Sequence, residues 1–159
     1  MQTQNGKFPH RKESTLRYFF NEQQQMVKSL ARRIAEEKII PVRAELDEKE
    51  EFPWPIMKEL AAADMFRVFI PAEYGGLGGG YLDLCLAIEE LSRGCSGIAI
   101  SYAAVASGAS TLLDYGSEEQ KQKYLPDIAS GKKLTAFALT ESTAGSDAGA
   151  IRTSAVREK

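Results

Sequence analysis

The spacing of apolar residues predicts helices over most of the first 131 positions of the chain. Asn21 and Gln24 have the spacing of an N-terminal capping box, and the apolar residues that follow recur every three or four positions. This pattern predicts a long helix with one buried stripe. Pro41 is expected to end or kink this helix, with a continuation to about Asp47. The stripe consists of Val27, Leu30, Ala31, Ile34 and Ala35.

Four further helices are predicted after this one. Pro55 fits the first turn of a short helix, and Ser117 with Gln120 forms a second capping box that opens the last helix. Between these two, the apolar spacing predicts helices over about 81–93 and 96–114. The helix over 96–114 carries mainly alanine, serine and glycine. Such small residues suit either tight helix packing or the wall of a ligand pocket, and the sequence leaves both open.

The helical spacing of apolar residues is interrupted at two places, first by a run of glycines and then by an alternation of small or polar with apolar residues. Residues 75–80 contain five glycines, which predicts a loop that no side chain stiffens. Residues 134–140 alternate small or polar with larger apolar side chains and predict a strand, and 152–157 predict the start of a second one. The expected fold class is therefore mainly α, with five to six helices followed by the first strands of a β-domain.

These elements divide the chain into three expected parts. Residues 1–15 are mildly basic and are expected to be a flexible lead-in, residues 16–131 a helical domain, and residues 132–159 the beginning of a β-domain. An isolated pair of strands is marginal in water. We therefore expect the chain to be the N-terminal portion of a longer protein.

Composition and charge exclude several classes of function. The 20 basic and 22 acidic residues give a net charge of -2, so nucleic acid is not an expected partner. Cys85, Cys95 and the single His10 cannot form a disulfide framework, a His/Cys metal site or a triad with an interior histidine. The adjacent carboxylates of Glu89 and Glu90 diverge on a helix, so they are expected on its solvated surface and not in a shared site. Neither a metal ligand nor a catalytic residue is predicted. The chain has no apolar run long enough for a membrane span and no apolar leader, so the cytoplasm is the expected compartment.

One segment combines features that suit binding of a cofactor. The predicted strand 134–140 runs into a turn of small residues with free backbone N–H groups, a hydroxyl at each end and a carboxylate that can brace it. Gly145 would allow close approach of a ligand to the backbone, and Ser146 would donate a hydroxyl, so the turn can form an anion-binding concavity. An ordinary hairpin or Asx-type turn is the alternative that the residues leave open.

Three separate motifs resemble signatures of the acyl-CoA dehydrogenase family. They occur in the family's order, and the agreement extends from about residue 22 to residue 157. The chain departs from the family at Ser142 and Thr143, where Pro-Gly is common. The motifs are IPAEYGGLG at 70–78, YGSEEQKQKYLP at 115–126 and AFALTESTAGSD at 136–147.

The resemblance implies a cofactor, FAD, and residues that would contact it. Backbone groups of Leu139 and Thr140 would meet the pyrimidine edge of the flavin, and the Thr140 hydroxyl would reach toward N5. Gly145 and Ser146 would meet the pyrophosphate. Phe137 occupies the start of the same strand. By resemblance, residues 132–159 are therefore the beginning of a flavin-binding β-domain, which a C-terminal helical bundle would follow.

The resemblance also implies a reaction and its partners. Family members oxidise an acyl-CoA thioester to the 2,3-enoyl-CoA, with a glutamate as the base, and pass electrons to an electron-transferring flavoprotein. Ser146 would contact the acyl-CoA, and Ala103 and Ser107 would flank its acyl chain. A homo-oligomer is expected at full length. No position here matches the family's catalytic glutamate, so the isolated chain is expected to be inactive.

Two alternative functions stay open on the residues alone. A non-catalytic helical binding or assembly module on the same scaffold would explain why no base is matched. A related acyl-CoA oxidase or flavin monooxygenase would keep the flavin and change the chemistry. Likeness of fold does not decide between these functions.

Overall fold

The computed structural model describes residues 20–157, which contain six α-helices. The predicted lead-in, residues 1–15, lies outside the described residues. The expected fold class, a mainly α chain with five to six helices, is confirmed. The helices are α1 Glu22–Ile34, α2 Arg43–Glu48, α3 Trp54–Ala62, α4 Tyr81–Gly94, α5 Ser96–Tyr115 and α6 Glu118–Ala129.

Local signals in the sequence set the ends of α1. Asn21 and Gln24 form the predicted capping box, in which each side chain bonds the backbone N–H of the other residue. A π-helical turn over Ala35–Ile39 follows α1 and carries the chain to Pro41, after which α2 begins at Arg43. Since proline has no N–H to donate, the helix is interrupted there, as the sequence predicts.

The core lies where α1, α4, α5 and α6 pack in sequence against one another, with short 3-10 turns over 65–67 and 72–74 beside them. Tyr102 of α5 is at its centre. The Tyr102 hydroxyl donates to the carbonyl of Met65 at 2.8 Å, and its ring lies 5.6 Å from that of Phe66 and 6.2 Å from that of Phe69. This arrangement satisfies the one polar atom of a fully buried aromatic side chain.

A fully buried carboxylate joins α1 to α4. Arg32 of α1 donates to Glu90 of α4 through Nε at 2.8 Å and through Nη2 at 2.9 Å, a bidentate pair. Lys28 Nζ lies 3.4 Å and Arg93 Nε 3.6 Å from the same carboxylate. Burial raises the pKa of Glu90, but the hydrogen bonds and charge of Arg32, with the charges of Lys28 and Arg93, outweigh it and lower the pKa overall. Glu90 is therefore a charged core residue, and its expected place on a solvated surface was wrong.

The glycine loop over 75–80 is held by its backbone. Leu77 N donates to Arg67 O at 2.8 Å, and Gly78 N donates to Ile70 O at 2.9 Å. A Cβ on Gly76 would overlap the Ile70 carbonyl, so only glycine permits this approach. The prediction of a loop is right, although the loop is fixed against residues 67–70.

The predicted strand over 134–140 does not form. These residues have no regular secondary structure, and no backbone hydrogen bond outside the helices involves them within the described chain. Residues 152–157 likewise have no strand pairing. A strand needs a neighbour for its N–H and C=O groups, and none of the described segments offers an edge to these residues.

By length and composition alone, helix α5 is long and apolar enough to cross a membrane, and it is the one such helix within residues 20–157. The core helices of folded proteins can have the same length and composition. Tyr102, Val105 and Ala109 of α5 are buried among the other helices. Length and composition are therefore weak grounds for a span here.

Replacing Glu90 by glutamine is expected to lower the free energy of unfolding by about 3 kcal/mol, because the cations around it lose their buried counter-charge. The pKa of Glu90 is lowered in the folded state, so its contribution is present at neutral pH and is lost as the pH falls through that lowered pKa. Urea unfolding of both proteins at neutral and acidic pH measures the difference, which should shrink in acid.

The matched control is Glu89→Gln, at the neighbouring and exposed position of α4. Its free energy of unfolding should stay within about 0.5 kcal/mol of the starting protein. Equal losses in E90Q and E89Q would show that the buried carboxylate does not hold α1 on α4.

Candidate functional site

The turn after Thr140 is closed by two backbone hydrogen bonds. Glu141 N donates to Ala144 O at 2.9 Å, and Ala144 N donates to Glu141 O at 3.2 Å. Ser142 and Thr143 lie at the corner, and Ala144 is buried beneath it. The turn therefore forms without the Pro-Gly pair that the family commonly has at this place.

The carboxylate of Glu141 fastens the returning chain to this turn. Glu141 Oε2 accepts from Arg152 N at 2.9 Å, and Oε1 accepts from Thr153 N at 3.0 Å and also from the Thr153 hydroxyl. The hydroxyl bond from Thr153 and the two backbone N–H groups lower the pKa of Glu141. Glu141 is thus the carboxylate that braces the turn, as the residue types suggested.

The residues predicted to bind the cofactor lie at the surface of this region. Phe137 is 53% and Leu139 47% exposed, and Thr140 is exposed as well. Their backbone groups have no ladder partners in the described chain. A segment with unpaired N–H and C=O groups suits the edge of a planar heterocycle, which carries both donors and acceptors.

Gly145 and Ser146 follow the turn and are both exposed. A Cβ on Gly145 would meet no heavy atom within 4 Å, so open space lies beside its backbone. Backbone N–H groups that border open space are available to an anion. The donor chemistry of this place fits a pyrophosphate, and the unpaired segment before it fits a flavin edge, so residues 137–146 suit FAD.

The predicted acyl-flanking residues lie one turn apart on α5. Ser107 is exposed and donates its hydroxyl to Ala103 O at 3.1 Å, and Thr111 donates to Ser107 O at 3.1 Å. Because the Ser107 hydroxyl is bonded to its own helix, an apolar chain that contacts it would leave no hydroxyl unpaired. Ala99 and Ala106 are buried on the core side, so the small residues of α5 also serve tight packing.

Two contacts that the sequence did not single out join the two halves of the site. Thr135 donates its hydroxyl to Val105 O of α5 at 2.7 Å. A Cβ on Gly108 would lie 2.6 Å from Thr135 Cβ, so the segment can approach the helix only because residue 108 is glycine. The available signal was the isolated glycine inside a helix, which needs a packing reason. The structure brings Val105 and Gly108 of α5 next to the start of the segment over 134–140.

A separate cavity of about 350 Å³ lies where the glycine loop meets α5 and α6. Tyr74, at its edge, donates its hydroxyl to Glu118 at 3.0 Å. Burial, with the hydrogen bond to Glu118, raises the pKa of Tyr74 to about 12. None of the predicted site residues lines this cavity.

Comparison with known families gives a match to the acyl-CoA dehydrogenase N-terminal domain over residues 21–132. Among curated relatives, the 3-(aryl)acrylate reductase of Clostridium sporogenes is 44% identical over 142 residues, which is 88% of this chain and 37% of the relative. The short-chain-specific acyl-CoA dehydrogenase of Clostridium acetobutylicum is 41% identical over 137 residues, 86% of this chain and 36% of the relative. The chain thus spans about a third of the length of these relatives.

Solved structures give the same picture of the fold. A chain from the structure of the electron transferring flavoprotein of Acidaminococcus fermentans has a TM-score of 0.77 and 40% identity, over 82% of this chain and 35% of that one. The Bacillus anthracis acyl-CoA dehydrogenase complexed with FAD has a TM-score of 0.77 and 34% identity, over 84% of this chain and 23% of that one.

Replacing Glu141 by glutamine should release the returning chain from the turn, because an amide has one acceptor oxygen where the carboxylate has two. Amide hydrogen exchange at Arg152 and Thr153, followed by mass spectrometry or NMR, should become several-fold faster at neutral pH. The starting protein should show the same release as the pH falls through the lowered pKa of Glu141, since protonation removes the charged acceptor.

Glu119→Gln, at an exposed position of α6, is the control for removing a carboxylate. It should leave exchange at Arg152 and Thr153 unchanged. Protection at these two amides that survives in E141Q would contradict the bracing role.

Proposed function

The chain belongs to the acyl-CoA dehydrogenase family, and from this membership we propose that it is the N-terminal part of an FAD-dependent enzyme that oxidises an acyl-CoA thioester to the 2,3-enoyl-CoA. The observation that carries the proposal is the unpaired segment 134–140, which runs into an open turn at Gly145. The identity of about 40% to relatives named as acyl-CoA dehydrogenases supports it. The domain boundary near residue 131 is part of the same proposal.

The proposed cofactor site uses backbone groups more than side chains. Leu139 and Thr140 would bind the pyrimidine edge of the flavin through their N–H and C=O groups, with the Thr140 hydroxyl directed toward N5 and Phe137 beside them. Gly145 and Ser146 would bind the pyrophosphate. When bound, FAD supplies the redox chemistry by accepting a hydride from the β-carbon of the thioester. The protein's part is to orient the flavin and to exclude water.

The proposed substrate site lies beside this segment on α5. Ala103 and Ser107 would flank the acyl chain with a face whose hydroxyls are already bonded to the helix. Ser146 would contact the acyl-CoA as well as the cofactor. A thioester held here would have its carbonyl polarised by hydrogen bonds, which acidifies the α-carbon.

The proton-abstracting glutamate is proposed to lie outside this sequence, because no position matches the family's base. The 159-residue chain alone is therefore expected to bind FAD weakly and to turn over no acyl-CoA. The wider proposal includes an electron-transferring flavoprotein as redox partner, a homo-oligomer and a cytoplasmic location. The likeness to a chain from an electron transferring flavoprotein structure supports the redox partner.

A second candidate function is the reverse reaction, reduction of a 2-enoyl thioester or acrylate. The 44% identity to a 3-(aryl)acrylate reductase favours it. Both directions use the same carbon–carbon bond and the same flavin. Supplying the reduced flavin with an enoyl-CoA, and the oxidised flavin with a saturated acyl-CoA, would distinguish them in a longer protein that carries the base.

FAD is expected to bind the purified 159-residue chain weakly, so titration should produce a saturable change in flavin absorbance at about 450 nm. Gly145→Val should abolish this change, because the valine side chain would enter the space beside the backbone, where a Cβ meets no heavy atom within 4 Å. Thermal unfolding of the variant should match that of the starting protein.

Gly80→Ala is the matched control, since a Cβ there also meets nothing within 4 Å. It should bind FAD as the starting protein does. Tight, stoichiometric FAD with acyl-CoA turnover by the 159-residue chain would overturn the proposal that the base lies elsewhere. Unchanged binding in G145V would overturn the proposed pyrophosphate site.

A further inference from the structure

The hydrogen bond from Thr135 to α5 lies between the two parts of the proposed site. Thr135 lies two residues before Phe137 and five before Thr140, the residues proposed to meet the flavin. Its hydroxyl bonds the carbonyl of Val105, two positions before Ser107, which is proposed to flank the acyl chain. One side-chain hydrogen bond therefore links the proposed cofactor segment to the proposed substrate helix.

The geometry of the helix is adapted to this contact. A helix carbonyl keeps a second lone pair beyond its helical bond, so Val105 can accept from Thr135 without loss of helix. Glycine is unfavourable inside a helix, yet Gly108 stands at the point of approach. A Cβ there would lie 2.6 Å from Thr135 Cβ and 2.7 Å from its Oγ1, distances that force the segment away from the helix.

The segment has no other support of this kind between its two ends. Lys133 N bonds Asp127 O at 3.1 Å before the segment, and the turn at Glu141 closes after it. Among the described residues, no backbone hydrogen bond outside the helices holds residues 134–140 in between. Leu134 packs against the core at the start of the segment. The hydrogen bond that holds the segment to α5 is that of Thr135, and Gly108 leaves the room for it.

We infer that Thr135 is a positioning residue that, with Gly108, fixes the cofactor segment at a set distance from the substrate helix and so couples binding of flavin to binding of the acyl thioester. This inference rests on the proposed function. It assigns no chemistry to Thr135, which acts through the segment that follows it. Because the contact holds the segment and α5 at one distance, binding of either ligand would stabilise the distance at which the other ligand binds.

The first test needs no cofactor and uses the 159-residue chain. Thr135→Val removes the hydroxyl at constant shape, and Gly108→Ala blocks the approach. Backbone ¹⁵N order parameters over 134–140 should fall below about 0.6 in both variants, with α1 and α4 unchanged. Thr135→Ser should keep the order parameters of the starting protein, since serine keeps the donor.

Two controls lie on the same helix. Thr111→Val removes a hydroxyl that bonds only its own helix, and Gly97→Ala adds a Cβ whose nearest neighbour is 3.8 Å away. Both should keep the order parameters of the starting protein over 134–140. Unchanged order parameters in T135V and G108A, or an equal fall throughout the chain, would overturn the inference.

The second test measures coupling between the ligands. FAD is titrated into each variant of the 159-residue chain with and without an acyl-CoA that has a saturated acyl chain. The dissociation constant of FAD without acyl-CoA is divided by the constant with acyl-CoA, and this ratio is compared among the variants. The ratio should exceed one in the starting protein, T135S, T111V and G97A, and should fall toward one in T135V and G108A. FAD binding that weakens in T135V while the ratio stays the same would make Thr135 merely structural and overturn the inference.

The two tests separate this inference from the proposed function. If no variant and not even the starting protein binds FAD, the proposed function of the 159-residue chain fails. The order parameters over 134–140 still decide whether Thr135 and Gly108 position the segment. If FAD binds but the ratio equals one in the starting protein, the coupling is absent and the inference fails alone.

Discussion

The buried carboxylate of Glu90 is the contact on which the arrangement of the helices depends. It is fully buried, and the bidentate pair with Arg32 fixes α4 against α1 in rotation as well as in distance. Helix α5 packs on α4, and Thr135 is bonded to α5. The position of the proposed cofactor segment therefore follows, through α4 and α5, from this ion pair.

Glycines provide the close approaches that complete this arrangement. Gly76 lies against the Ile70 carbonyl, and Gly108 lies against Thr135. A third, Gly94 at the end of α4, lies where a Cβ would be 3.0 Å from Ile39 and 3.2 Å from Ala35 of the π-helical turn. In each case the missing side chain allows the glycine to lie close to its neighbour. The glycines are thus contact points of the fold.

The sequence predicted well what nearby residues decide and poorly what distant residues decide. Asn21 and Ser117 mark helix starts because their capping partners lie three positions away. Glu90 was misassigned because its main partner is 58 positions away in the chain. The strand over 134–140 has the right alternation, but a strand also needs a pairing edge. In the site, the turn and its brace could be foreseen from residue types, whereas the Thr135–Val105 contact needed the coordinates.

The unpaired segment over 134–140 has a consequence for how the protein behaves in concentrated solution. Its seven residues carry no charge and no proline, the features that commonly keep free strand edges apart. Two copies can therefore satisfy their backbone groups by lying alongside each other at this segment. Crowding would favour such pairs, and a ligand or polypeptide that occupies the same groups would keep the chains separate.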